Sequence, residues 1–302
     1  MILVVGLSPA WQRTLEFSQD IQLGEVNRAR RVTETASGKG VNVARVARQL
    51  GGDSRLITVV GGLRGDLFAR ALKKESFPVR IVRVARETRP CQTLIAPGAV
   101  TELVEETRRL TPREAAAVVA AFAAELPRAK FVILTGSVPP GCSAGFYARL
   151  ARASWRAGVP VLLDAQGDQL MNAVREKPFL VKVNRSELAM ATGRSCESAA
   201  RQLLASGVKW VAISRGPKSV LVFGKTEKWV VTPPVVAAVN PIGSGDAMMA
   251  GIATALDRGQ AMVEAVRFGV ACGAANALTA TSGEVRRADV MRLLRRVTVR
   301  RV

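Results

Sequence analysis

A chain of 302 residues that is 48% hydrophobic can bury a sizeable core, which excludes a disordered protein. It has no histidine, so His-based triads and His metal sites are excluded and any general base must be a carboxylate, Lys, Tyr or Cys. The 44 Lys and Arg against 24 Asp and Glu give a net charge of +20, an attraction for anions that alone fits nucleic acid, anionic substrates or a lineage bias towards Arg.

In chain order, Met1–Gly6 is apolar but lacks a basic leader and a small-residue cleavage site, so it reads as a buried first strand and not a secretory signal. Further strands are expected at Leu56–Val60, Phe131–Leu134, Pro160–Leu163, Phe179–Val183, Trp210–Ser214 and Ser219–Phe223. Helical periods lie between them at Val41–Leu50, Pro112–Glu125 and Ala144–Arg156. Near-continuous apolar strands separated by helices predict a parallel sheet covered on both faces. Two segments, from about 11–35 and 79–105, alternate polar and apolar residues instead. They predict a small β-sheet lid over a cleft, with edge strands of the main sheet as the alternative. Cys91, Cys142, Cys196 and Cys272 are scattered without a CxxC pair, which fits a reducing cytoplasm and neither a disulfide framework nor zinc. No apolar run reaches membrane-spanning length, so no membrane association is expected. Aromatic residues are 5%, too few for rows of base-stacking platforms, and no specific nucleic-acid partner is expected.

Two segments carry chemistry. In Asn240–Asp246 (NPIGSGD), a strand-like run Val235–Val239 leads in and a small-residue helix leads out. Gly243, Ser244 and Gly245 would leave backbone N–H groups free to meet an anion at the positive end of that helix, with Asp246 beside them to accept a proton. An ordinary glycine-rich turn before a helix is the plainer reading of the same residues. In Ala36–Ala47, Gly38 and Gly40 open a second helix, with Lys39 as a cation and Asn42 as a two-way hydrogen bonder. The GxxxxGK[ST] pattern is not met, so this is no Walker A loop.

These runs, with GSVPPG at Gly136–Gly141, KVNRSEL at Lys182–Leu188 and VNPIGSGDAMMAG at Val239–Gly251, resemble the phosphofructokinase B group of ribokinase-like sugar kinases over essentially the whole chain. The likeness is greatest to the branch of 1-phosphofructokinase and tagatose-6-phosphate kinase. It implies an α/β fold, a ribokinase-like three-layer α/β/α sandwich with a mostly parallel sheet and a β lid, as one domain over 1–302. It implies ATP and Mg²⁺ as cosubstrates, Asp246 as base and Gly243–Gly245 as the anion hole. Asn184 and Glu187 would organise Mg²⁺ through its waters, although the same pair has the spacing of a helix capping box. Ser214, Gly216 and Asn276 would lie along the nucleotide, with Arg215 standing where the family usually has Leu. Gly38, Lys39 and Asn42 would hold the acceptor, and Arg89 and Arg28 its phosphate.

One departure stands out. The family's N-P-A-x-D segment here reads Ser8-Pro9-Ala10-Trp11-Gln12, so a neutral amide replaces a carboxylate at the acceptor hydroxyls. The resemblance implies phosphorylation of a ketohexose phosphate, fructose 1-phosphate first, then tagatose 6-phosphate or fructose 6-phosphate. The alternatives are a kinase for an unphosphorylated sugar or nucleoside, or a catalytically weakened nucleic-acid-binding or regulatory protein on the same scaffold. A homodimer formed through the lid is the expected assembly.

Overall fold

The computed structural model describes residues 1–75 and 77–302. The chain runs β1 (Ile2–Val5), β2 (Ala10–Glu16), β3 (Arg31–Ser37), α1 (Lys39–Gln49), β4 (Ser54–Val60), α2 (Gly62–Lys74), β5 (Val79–Arg83), β6 (Arg89–Ala96) and β7 (Ala99–Val104). It continues through α3 (Pro112–Glu125), β8 (Phe131–Thr135), α4 (Phe146–Arg156), β9 (Val161–Asp164), α5 (Gly167–Val174), β10 (Leu180–Asn184), α6 (Arg185–Thr192) and α7 (Cys196–Ala205). The last elements are β11 (Trp210–Ser214), β12 (Val220–Phe223), β13 (Lys228–Thr232), α8 (Ser244–Asp257), α9 (Met262–Asn276), α10 (Arg287–Leu294) and β14 (Thr298–Arg301).

Ten strands form one sheet in the order β14-β13-β12-β11-β10-β9-β8-β1-β4-β5, parallel from β11 to β5 and antiparallel beyond β11. Its inner parallel strands are buried on both faces, as their unbroken apolar runs require. One core cluster gathers α1, α8, α9 and α10; the other gathers α3, α4, α5 and α7 on the opposite face. Local signals set several helix starts. Thr111, Pro112 and Glu114 begin α3 with a full capping box and a proline in the first turn, and Asn184 and Glu187 close the same motif on α6. Among the described residues no helix is long and apolar enough to cross a membrane.

The second sheet, in the order β3-β2-β6-β7, is the small sheet the alternation predicted. Two expectations need correction. Val79–Arg83 is not in that sheet: it pairs in parallel with β4, Leu56 opposite Val79, and forms the edge of the main sheet. An edge strand with one face on the core alternates just as a lid strand does, so the pattern could not separate the two. Val235–Val239 is not a strand either. It is irregular, and Val235 is 90% exposed. Val239 N donates to Ala277 O at the end of α9, and the flanking Pro233, Pro234 and Pro241 have no amide with which to extend a ladder.

Candidate active site

The parallel strands deliver their C-terminal ends to one edge of the sheet, the place where open α/β sheets form crevices. Asp164 ends β9 and Asn184 ends β10; Ser214 ends β11, paired in register with Asn184. From the helical layer, α1 and α8 bring their N-termini to the same edge. Lys39 starts α1, and Asp246 lies in the first turn of α8.

Asp246 is buried, and Asn42 Nδ2 donates to its Oδ2 at 2.9 Å. Asn42 is steered by Ser37, whose Oγ donates to Asn42 Oδ1 at 3.2 Å, and Ser37 in turn lies 3.3 Å from Ser282 Oγ. Burial pushes the Asp246 carboxyl up to about 6. The negative charge of Asp164 adds to that rise, while Lys39, Lys182 and the Asn42 hydrogen bond oppose it.

Asp164 is fully buried between two ammonium groups. Lys182 Nζ donates to its Oδ2 at 2.8 Å, and Lys39 Nζ lies 3.6 Å from its Oδ1. Burial alone would raise this carboxyl, but the two lysines outweigh it and hold it below the usual carboxylate range. The ammonium of Lys39 also lies 3.9 Å from Glu187 Oε1, and Asp164 chiefly, with Asp246 and Glu187, drives its pKa up against burial.

The turn ahead of α8 places unpaired backbone N–H groups at a helix N-terminus. Gly243 caps the helix at φ +84°, a conformation that glycine adopts freely, and a Cβ there would strike the Gly283 nitrogen at 2.9 Å. Ser244 N bonds Pro241 O and Ala247 N bonds Gly243 O, whereas the N–H groups of Gly245 and Asp246 find no acceptor among the described residues. A Cβ on Gly245 would come within 3.0 Å of Lys182 Nζ, so an ammonium sits beside a helix N-terminus. A helix N-terminus with free donors and an ammonium beside it make this turn locally positive.

The remaining candidates fall in three places. Asn184 Oδ1 accepts from Glu187 N and Glu187 Oε2 accepts from Asn184 N, so the capping-box reading is realised; Glu187 Oε1 is left facing Lys39. Ser214 is half-buried, and Gly216 sits at φ +61° with open space around it. Asn276 is completely buried and ties loops together: Nδ2 donates to Ile242 O at 2.8 Å and Oδ1 accepts from Gly283 N at 2.9 Å. Its amide therefore shapes the Gly243–Gly245 turn.

Gln12 and Arg89 are on the small sheet. Gln12 is buried and donates to Thr93 Oγ1 at 2.9 Å. The Arg89 guanidinium donates to Glu105 O at 2.6 Å and to Ser8 O at 3.4 Å, and its Nε is buried without a partner. Arg28 is exposed on the loop between β2 and β3, without a side-chain partner among the described residues. Within one chain it does not join the Asp246 cluster.

Two members of the cluster, Asp164 and Lys182, were not picked out as site residues from the sequence. A signal was there: each is a charge inside an otherwise apolar, doubly covered strand, and such charges occur only when paired.

This ordered set coincides with a family match over residues 1–286, to the model described as pfkB family carbohydrate kinase. The chain belongs to the pfkB family. It is a sugar kinase of that family, and ATP is the substrate the family implies. Phosphofructokinase-2 from Escherichia coli, in complex with substrates and products, is 26% identical with a TM-score of 0.91 over 98% of both chains. A "possible 1-phosphofructokinase" from Thermotoga maritima is 22% identical with a TM-score of 0.90, over 100% of this chain and 99% of the other. A carbohydrate kinase from Agrobacterium tumefaciens is 22% identical with a TM-score of 0.78 over the same shares, and these last two bear on the fold alone. The ribokinase-like α/β fold expected from the motifs is thus the fold of the pfkB neighbours.

The loop between α9 and α10, which packs against the turn before α8, supports a first prediction. Gly283 has φ +70°, and a Cβ there would lie 2.6 Å from both Cβ and Oδ1 of Asn42. Backbone and neighbour are both unfavourable, and a left-handed alanine alone costs about 1–2 kcal/mol. Gly283→Ala is expected to displace Asn42 from Asp246 and to lower kcat at least about tenfold, equivalent to about 1.4 kcal/mol. Unchanged kcat in steady-state assays would refute the link.

Proposed function

We propose that the chain transfers the γ-phosphoryl group of ATP to a hydroxyl of a ketohexose phosphate, fructose 1-phosphate first, with tagatose 6-phosphate and fructose 6-phosphate next. The observation that carries this reading is Asp246, a buried carboxylate with a raised pKa beside two free N–H groups at a helix N-terminus. Asp246 takes the proton of the acceptor hydroxyl as its oxygen bonds to the γ-phosphorus. The bond from that phosphorus to the bridging oxygen breaks, and ADP leaves. The N–H groups of Gly245 and Asp246, with Lys182 and Lys39, neutralise the charge on the transferring group. Asn42 orients the base.

Mg²⁺ fits the donor set only as a largely hydrated ion. Among the described residues no three His, Cys, Asp or Glu side chains gather as a cage, and Glu187 Oε1 with Asn184 offers a carboxylate and an amide. Held there through its waters by Glu187 and Asn184, such an ion would offset negative charge on the phosphate groups.

Arg89 supports a phosphorylated acceptor, because its buried unpaired Nε is a donor still to be satisfied beside the Ser8–Gln12 segment. Arg89→Ala is expected to raise KM for the sugar phosphate about tenfold or more, as loss of a charge-assisted contact does, and to leave KM for ATP unchanged. A defect confined to ATP would overturn this assignment. Gln12→Asp is expected to raise kcat/KM on the preferred ketohexose phosphate about fivefold, or about 1 kcal/mol, since a carboxylate binds hydroxyls more strongly than an amide. Loss on all three sugar phosphates would show that the amide serves another acceptor.

The small sheet exposes Val32, Leu103 and Val104, and its β2–β3 loop exposes Leu23 and Val26, which supports a homodimer formed through it. Sedimentation of wild type beside Val26→Asp tests this, with a wild-type monomer as the refuting result. Without histidine or CxxC pairs, a cytoplasmic enzyme remains the reading of the cysteine pattern. The acceptor is tested by ADP release across fructose 1-phosphate, fructose 6-phosphate, tagatose 6-phosphate and the free sugars. Turnover confined to a free sugar would replace the proposed substrate.

A further inference from the structure

A cavity of about 460 Å³ lies on the face of α6 and α7, outside the Asp246 cluster. Leu188, Ala189 and Leu221 give its lining an apolar part. Three arginines stand around it. Arg185 and Arg215 follow directly on Asn184 and Ser214, which are opposite each other in the β10–β11 ladder, so those two guanidinium groups start from neighbouring strand ends. Arg194 enters from the turn between α6 and α7, where Gly193 takes φ +63°.

Arg185 and Arg194 form no ion pair or side-chain hydrogen bond among the described residues, and Arg215 bonds only Ser219 Oγ. Glu197 also lines the cavity, but Arg201 Nη2 and Lys228 Nζ already hold its two carboxylate oxygens at 2.8 and 3.0 Å. Three like charges therefore line one cavity, whose one carboxylate among the described residues is held by cations other than these three. The N-terminal turn of α7 adds to the positive field: Ser195 caps Ser198 N, and the N–H groups of Cys196 and Glu197 find no acceptor among the described residues.

We propose that this cavity is a binding site for a phosphomonoester with an apolar body, separate from the ATP and acceptor sites. The phosphate satisfies Arg194, Arg185 and Arg215, for which guanidinium geometry is suited. The body covers Leu188, Ala189 and Leu221. A cavity of this size holds a small metabolite, not a polymer.

The test is calorimetric titration of the full chain with phenyl phosphate, in the presence of Mg²⁺ and saturating non-hydrolysable ATP analogue. Binding is expected to persist with the nucleotide site filled and to weaken about tenfold or more in Arg194→Ala and in Arg215→Leu. Arg300→Ala, which removes the same charge from an exposed site on β14, is expected to bind as wild type does. Phenol, which lacks the phosphate, is expected not to bind. Four results each overturn the proposal: no binding by wild type, binding abolished by the ATP analogue, Arg194→Ala unchanged, or equal weakening in Arg300→Ala. Arg194 is exposed, so its variant tests the site without disturbing the core.

Discussion

Replacing Asp246 with asparagine is expected to lower kcat by about 10²–10⁴-fold while ATP still binds, because a neutral amide keeps the shape of the turn but takes no proton. The Asn42 contact survives, since an amide oxygen accepts the same hydrogen bond. The pH dependence follows from the raised pKa. Transfer needs the ionised carboxylate, so kcat/KM of the wild type falls as pH drops through about 6. Stability moves the other way. A carboxyl whose folded pKa lies above its unfolded value favours the native state when protonated. The penalty of the buried charge therefore grows as pH rises from about 4 to about 6 and is fully present above that. Asp246→Asn removes the penalty, and near neutral pH the variant is expected to melt above wild type, by up to about 3 kcal/mol. Near-wild-type turnover in Asp246→Asn, or a flat rate profile across pH 6, would defeat the assignment.

Asp164→Ala is expected to be the most destabilising single change at the site. Removing one partner of a buried ion pair leaves an uncompensated charge and costs about 3–5 kcal/mol, a fall in Tm on the order of 10 °C for a domain of this size. Lys182, with its side chain 6% exposed, is the group stranded; Lys39, 43% exposed, can turn to solvent. The Asp164 carboxyl is held low, so the stability it supplies is present above the ordinary carboxylate pKa and lost as pH falls through the lowered folded value. The double variant Asp164→Ala with Lys182→Met is expected to regain part of the loss, because the stranded ammonium is gone. It is expected to have lost activity, since Lys182 lies against the turn before α8. Thermal melts decide the matter: a loss below about 1 kcal/mol in Asp164→Ala would mean that the pair is not a structural linchpin.

Much of this protein is decided by short-range rules. Unbroken apolar strands require a sheet covered on both faces, and Gly-Ser-Gly before a helix requires free N–H groups at its start; both are properties of a few consecutive residues. Thr111-Pro112-Arg113-Glu114 and Asn184 with Glu187 likewise specify helix starts on their own. Pairing between distant segments is another matter. Alternation in Val79–Arg83 says that one face is covered but not by which sheet, and only the ladder to β4 decided it. Val235–Val239 has strand composition, yet it pairs with no strand and its Val239 amide goes to Ala277 O at the end of α9. The Asp246 cluster joins residues 204 positions apart through Asn42, and Asp164 lies between Lys39 and Lys182 from separate elements. Charge neutralisation, burial and the resulting pKa values depend on those distances, which the order of residues does not contain. The same limit governs Asn276: only the fold shows that its amide lies between Ile242 O and Gly283 N.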